Sequence, residues 1–256
     1  MKFGNLDKNI NRKQKIMKIS KLLKSLLRLN PILIIALILN LIGCQKENEE
    51  ITNKKGTVTD IEGHIYKTIT IGSQVWMAEN LRVTCFNDST QIPNITDPIK
   101  WINMTSGAQC LYENNEAYLD SMYGRFYNWY AVKTGKLAPK GWHVPTDEDW
   151  EKLKNYVCDN YSGGSDKVAN HLKIVTGWDD YIGNYPDNET GFSGVPAGLR
   201  GLKGEYDWNK KAGYFWSSTE FNGEAILRNL DYRESTFVRG FAGNKNAGFS
   251  IRCIKD

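Results

Sequence analysis

The sequence predicts an α+β domain carried behind an N-terminal export segment. Three observations lead there: a period-two run with a Gly-Ser turn near the start of the domain, a strongly capped helix in its middle, and four further strand-like runs after Gly191. No low-complexity tract and no repeat of fixed period divides residues 57 to 256, and about 200 residues suffice for a single core. All eight Trp and all thirteen Tyr fall in this part, together with many glycines, which suits a loop-rich fold better than a helical bundle.

Residues 1 to 43 hold nine of the 33 Lys and Arg and a single acid, Asp7, so the formal charge of +4 conceals a remainder of about −4. Phosphate recognition needs clustered positive charge, and the remainder argues against a nucleic-acid partner. The basic segment enters the apolar run Pro31-Ile-Leu-Ile-Ile-Ala-Leu-Ile-Leu-Asn-Leu-Ile42. That run is shorter than the ~20 residues of a spanning helix and has the form of a secretory signal. It ends in Leu41-Ile42-Gly43-Cys44, which resembles a bacterial lipobox. Cleavage before Cys44 and its lipidation would tie the protein to a membrane through several acyl chains. Met17 offers a second start that gives a signal of more ordinary length. Residues 44 to 56 are polar and are expected to form a flexible tether. Their acids Glu47, Glu49 and Glu50 resemble the signal that sends some lipoproteins to the outer face of the outer membrane, so the expected address is the cell envelope with display at the surface.

Within the domain, residues 63–71 alternate as a strand, Gly72-Ser73 reads as a two-residue loop, and 74–77 return as the second arm of a hairpin. Residues 87–109 carry Pro93, Pro98 and several Asn and Asp, and predict a long ordered loop or short strands. The run Tyr123-Gly-Arg-Phe-Tyr-Asn-Trp-Tyr-Ala-Val132 is aromatic enough to belong to the core. In Gly141-Trp-His-Val-Pro-Thr-Asp-Glu-Asp-Trp150, Thr146 and Asp149 have the spacing of a capping box, and Asp147 and Glu148 place charge where the helix dipole favours it. Trp150, Leu153 and Val157 then share a face. A second helix is expected from Ser165, with Val168, Leu172 and Val175 inward. Strands follow at 214–219, 225–232, 236–241 and 248–254, and in the last of these Phe249, Ile251 and Cys253 point to the core.

Six stretches carry a family resemblance: Gln74-Val-Trp-Met-Ala-Glu-Asn-Leu-Arg82, the aromatic run 123–132, Ala138-Pro-Lys-Gly-Trp-His-Val-Pro-Thr-Asp147, Gly191-Phe-Ser-Gly-Val-Pro-Ala-Gly198, Phe215-Trp-Ser-Ser-Thr219 and Gly248-Phe-Ser-Ile-Arg-Cys253. With these in order, residues 57 to 256 resemble the Fibrobacter succinogenes major paralogous domain of bacterial secreted proteins and lipoproteins. The resemblance implies a C-type-lectin-like α+β fold with two helices, a curled antiparallel sheet, neighbouring chain ends and a long loop region. It brings no activity, and a fold alone supplies none. Some members have a cysteine where this chain has Ala138, the natural partner for Cys253. Cys253 must then pair with Cys85, Cys110 or Cys158 or stay reduced, and the family's cysteine in the Cys110 segment implies Cys110 as the partner in an oxidising compartment.

The usual signatures of catalysis are missing. His64, His143 and His171 form no H-x-x-x-H or H-E-x-x-H motif, and His143 reads as a structural, hydrogen-bonded residue. The cysteines make no C-x-x-C pair, Ser217 and Ser218 lack a G-x-S-x-G setting, and no glycine loop fits a phosphate. Formylglycine-generating enzymes share the lectin-like scaffold but use a reactive cysteine pair near the C-terminal part, and only Cys253 lies beyond Cys158, so a non-enzyme is expected. The chemically densest stretch is 178–189, where Trp178, Tyr181 and Tyr185 flank Asp179, Asp180 and Asp187. Hard oxygens beside flat rings are what Ca²⁺ and sugars use. The Glu-Pro-Asn and Trp-Asn-Asp motifs of calcium-dependent lectins do not occur. The expected role is a surface-anchored module binding a glycan or a surface protein, with a structural envelope lipoprotein as the alternative.

Overall fold

A computed structural model describes residues 53–118 and 122–256. The signal run, Cys44 and most of the tether lie outside the described residues. Strands β1 (Lys55–Thr59), β2 (Ile65–Ile71) and β3 (Gln74–Met77) form an antiparallel meander, with Ile71 opposite Gln74 and Gly72 at φ +60° making the expected tight turn. Lys55 and Gly56, expected in the tether, already pair with Ile69 and Thr68. The irregular stretch contains a short helix, α1 (Pro98–Ile102), which Asp97 caps by accepting from the Lys100 amide at 2.7 Å. Strands β4 (Gln109–Cys110) and β5 (Phe126–Tyr127) pair, and α2 (Trp129–Lys133) follows with Asn128 as its cap.

After β6 (Trp142–His143) comes α3 (Asp147–Asn160), capped as the sequence predicts. Thr146 Oγ1 accepts from the Asp149 amide at 3.1 Å, and Asp149 Oδ2 accepts from the Thr146 amide at 2.9 Å. His143 lies between two carboxylates, Nδ1 at 2.7 Å from Asp256 and Nε2 at 3.2 Å from Asp149, a structural position beside the cap. The second helix is shorter than expected: a 3-10 turn at Gly164–Lys167 leads into α4 (Val168–Leu172). Val168 and Leu172 are buried, but Val175 is 58% exposed. The helix stops because Lys173 turns extended and bridges to Gly194, whose carbonyl takes the Ile174 amide.

The remainder is strand: β7 (Leu199–Arg200), β8 (Tyr206–Asp207), β9 (Ala212–Phe221), β10 (Glu224–Asp231), β11 (Val238–Ala242) and β12 (Ile254–Lys255). The result is a mixed fold whose ladders are all antiparallel, in a five-stranded sheet ordered β1-β2-β3-β12-β6, a three-stranded sheet ordered β11-β10-β9, and two small pairs. This corrects the expectation of one curled sheet and two helices. Of the expected strand 248–254 only the last part joins the ladder, while Gly248, Phe249 and Ser250 make isolated bridges to Arg200, Tyr127 and Phe215. Among the described residues no helix is long and apolar enough to cross a membrane.

The buried face of α3 anchors an aromatic cluster. Trp150 lies 4.7 Å from Trp76 and about 6 Å from Phe192, Phe215 and Phe237, centroid to centroid. Asp147 in the first turn does more than meet the dipole: it binds Arg228, which is fully buried on β10, and Arg239 on β11, while Glu151 takes Arg228 Nη1 at 2.7 Å. The expected disulfide is absent. Cys85, Cys110, Cys158 and Cys253 are all free thiols. Cys110 packs with Trp101, Ala108 and Phe126, whereas Cys253 packs in a different cluster with Met77, Leu81 and Ile251, so each is held as a small apolar side chain. Burial pushes both thiols up, which makes them inert.

The densest polar knot is a second buried arginine. Arg252 Nε and Nη2 donate to Asn80 Oδ1 at 3.1 and 2.8 Å, Nη1 donates to the carbonyls of Met77 and Phe192, and Nη2 also reaches the Ser193 carbonyl at 3.2 Å. Its guanidinium stacks 4.6 Å from the Phe192 ring. Burial draws its pKa down to about 9, which leaves it charged at neutral pH. Replacing Arg252 with Met strips the donors from four acceptors in two distant segments, and is expected to cost on the order of 3–5 kcal/mol. Lys cannot reproduce the planar fork and should recover only part of that. Urea denaturation of both variants checks this; an unshifted midpoint in Arg252→Met refutes it.

Candidate functional site

The loop singled out by sequence is held at three points. The Asp179 amide donates to the Lys210 carbonyl at 2.7 Å, and the Asp187 amide to the Asn170 carbonyl at 3.1 Å. Between them Asn184 turns inward, and its Nδ2 donates to the carbonyls of Tyr232 and Glu234 at 2.6 and 3.0 Å. Gly183, at φ +90°, makes the turn in which the Asn184 amide reaches the Tyr181 carbonyl, a conformation costly for a residue with a side chain. With the backbone fixed in this way, Tyr181, Ile182 and Tyr185 stand out at 48%, 94% and 72% exposure. They share an open cleft of about 390 Å³ with Trp178, Asp179, Asp180 and Val175.

Five of the six residues predicted from sequence therefore meet in one cleft. Trp178 is half-buried as its floor, with its ring against the α3–α4 core and 5.3 Å from Lys173 Nζ. Lys173 is fully buried, and burial draws its pKa down to about 8. Tyr181 stands edge-on to Tyr232 at 5.8 Å, which fixes one ring while leaving part of it free. Asp187 does not line the cleft. Its Oδ1 accepts from the Glu189 amide at 3.0 Å and lies 3.0 Å from Nδ1 of the buried His171, so local turn geometry draws it to the far side. Among the described residues, Asp179 and Asp180 belong to no group of three carboxylate, thiolate or imidazole ligands close enough to share an ion.

Two such groups occur elsewhere: Asp60–Glu62–His64 and His171–Asp187–Glu189. In the first, Asp60 is already satisfied by the amides of Glu62 and His64, by the Tyr66 hydroxyl at 2.7 Å and by His64 Nδ1 at 3.0 Å. Glu62 in turn accepts from the amide and hydroxyl of Thr84. That group is a turn built around a buried carboxylate, and it borders a hollow of about 200 Å³ that also touches Cys85 and Ala138. A further cleft of about 360 Å³ is lined by Leu199, Leu202, Trp208 and Phe241. Its acids Glu205 and Asp207 are tied to their own loops, accepting from the amides of Lys203 and Trp208. The cleft of Trp178, Tyr181 and Tyr185 differs in that, among the described residues, the Asp179 and Asp180 carboxylates make no hydrogen bond to their own loop, and two tyrosines stand out beside them.

The sequence model described as the Fibrobacter succinogenes major domain matches residues 69–255. The chain belongs to that family. No curated protein and no solved structure matches the chain. Trp178, Asp179, Asp180, Tyr181 and Tyr185 all fall inside the matched span, so the cleft is part of the Fibrobacter succinogenes major domain rather than an appendage to it.

Asn184 was not a sequence candidate, since an Asn in a polar loop gives no sign that it points inward. Asn184→Ala removes the donors of two carbonyls and is expected to lower stability by ~1–3 kcal/mol. It should also make 180–186 the first site of cleavage in limited proteolysis followed by mass spectrometry; cleavage unchanged from the parent shows that the Asn184 tie does not hold the loop.

Proposed function

We propose that this chain is an envelope-anchored lipoprotein whose domain binds glycans in the cleft of Trp178, Tyr181 and Tyr185. The observation that carries the reading is the exposure of Tyr181 and Tyr185 on a loop whose backbone is pinned on both sides of them. Large rings held out by a fixed loop give a sugar ring a flat apolar surface at little entropic cost. Asp179 and Asp180 beside them accept hydrogen bonds from hydroxyl groups. A shallow cleft with few polar groups suits weak binding that gains strength from many copies on a surface. Attachment through Cys44 supplies that setting. An enzyme with a reactive cysteine pair finds no support in Cys110 and Cys253, which are buried thiols.

A panel of host and cell-wall glycans, presented to the full chain in detergent, tests this. The Tyr181→Ala, Tyr185→Ala double variant is expected to lose at least ~10-fold in affinity for whatever the parent binds. Its stability should shift by only ~0.5 kcal/mol per site. Equal binding by parent and variant moves the site elsewhere, and a panel without binders favours the structural lipoprotein. The anchor has its own test: Cys44→Ser should leave the precursor unprocessed or release the protein from the membrane fraction. Processing and membrane retention identical to the parent refute lipidation at Cys44.

A further inference from the structure

The group His171–Asp187–Glu189 poses a problem of protons. His171 is almost completely buried, its side chain 2% exposed, and its Nε2 lies 2.8 Å from the Ser162 carbonyl oxygen. A carbonyl only accepts, so Nε2 carries a hydrogen, and in the neutral ring Nδ1 is then a lone pair. That lone pair faces two carboxylate oxygens, Asp187 Oδ1 at 3.0 Å and Glu189 Oε2 at 3.5 Å. Three electron-rich atoms thus converge with one of them fixed in the protein interior, an arrangement that requires positive charge between them.

We infer that the three atoms bind a transition-metal dication of the Zn²⁺ class. Separations of 3.0 and 3.5 Å are those of neighbouring ligands around an ion held at ~2.1 Å, and the three ligand atoms all lie within 4.8 Å of one another. One imidazole nitrogen with two carboxylates selects this class over calcium, which takes six to eight oxygens. The Nε2 bond to a backbone carbonyl is the outer contact that orients a metal-bound histidine. Both ligand segments are also fixed beforehand. The Asp187 and Asn188 amides donate to the Asn170 carbonyl, Thr190 Oγ1 donates to the His171 carbonyl at 2.6 Å, and Asn53 Nδ2 reaches the Glu189 carbonyl. The carboxylates are part-exposed, at 37% and 54% for their side chains, so the ion has a route of entry and keeps open positions toward solvent. In Asp60–Glu62–His64 protein donors occupy both carboxylates, whereas in the His171 group the Glu189 amide takes Asp187 Oδ1 alone.

The test uses Zn²⁺ alone with the full chain in detergent after removal of bound metal, and is independent of any glycan. Calorimetric titration should show one ion per chain that His64→Gln leaves in place. The Asp187→Asn, Glu189→Gln double variant should weaken it ~100-fold. Zn²⁺ should also raise the melting temperature of the parent by about 5 °C and that of the double variant by none. Because both altered side chains are part-exposed, the metal-free melting temperature verifies that the double variant is folded. His171→Gln should abolish binding as well. Absence of Zn²⁺ binding by the parent, retention of it by the double variant, or its loss in His64→Gln would each overturn the assignment.

Discussion

A guanidinium bound to carbonyls and an amide, with no ion pair to it among the described residues, holds this domain together. Arg252 takes acceptors from Met77 and Asn80, at and just after the end of β3, and from the Phe192–Ser193 turn, and so ties the last segment of the chain to two others far from it in sequence. Arg200 repeats the device, reaching the carbonyls of Gly204, Ile95 and Thr96 with its guanidinium 4.4 Å from the ring of Trp101. A loop-rich fold leaves many carbonyls without a ladder partner, and burying them unpaired is expensive. One planar five-donor group serves several at once, and the aromatic ring beneath it replaces part of the lost water. The ordered turns at 95–96, 192–193 and 204 depend on these two residues as much as on the apolar core.

The same logic runs through the 178–189 loop. Its outward groups are rings and acids, while Asn184 turns inward and Asp187 meets the buried imidazole of the neighbouring helix. The cleft and the His171 group sit at opposite ends of one loop, with Asp187 assigned to the second and Tyr185 to the first. Fixing the Asp187–Glu189 end restricts the freedom of the exposed end, since only a few residues separate them. Preorganisation of that kind raises the affinity of a shallow site without adding a contact.

Local patterns were readable in the sequence, and long-range polar pairing was not. The β2–β3 hairpin, the capping box of α3 and its Trp150–Leu153–Val157 face all follow from neighbours within a few positions, and they stand as expected. Alternation in Phe249-Ser-Ile-Arg-Cys253 correctly placed Phe249, Ile251 and Cys253 inside, yet it assigns Ser250 and Arg252 to solvent, and both are fully buried. The segment lies between two packed layers, so both of its faces are interior, and periodicity cannot report that. The aromatic cleft was visible because rings and acids were contiguous. The pairing of His171 with Asp187 was not, because those residues lie 16 apart on a helix and a loop. The Cys110–Cys253 bridge failed for a related reason: cysteine count and compartment say nothing of which apolar cluster each thiol enters.

The placement of β12 has a temporal meaning. Ile254 pairs with Trp76 on one side and His143 on the other, and Arg252 reaches Asn80 across 172 positions. A chain made from its first residue onward therefore has the β2–β3 hairpin early, but its outer side of β3 is filled only by Ile254, 177 residues after Met77. An open strand edge flanked by Trp76 and Met77 is a template for the wrong partner. Topology of this order also folds slowly. The native sheet closes only when the last-made part returns onto the first.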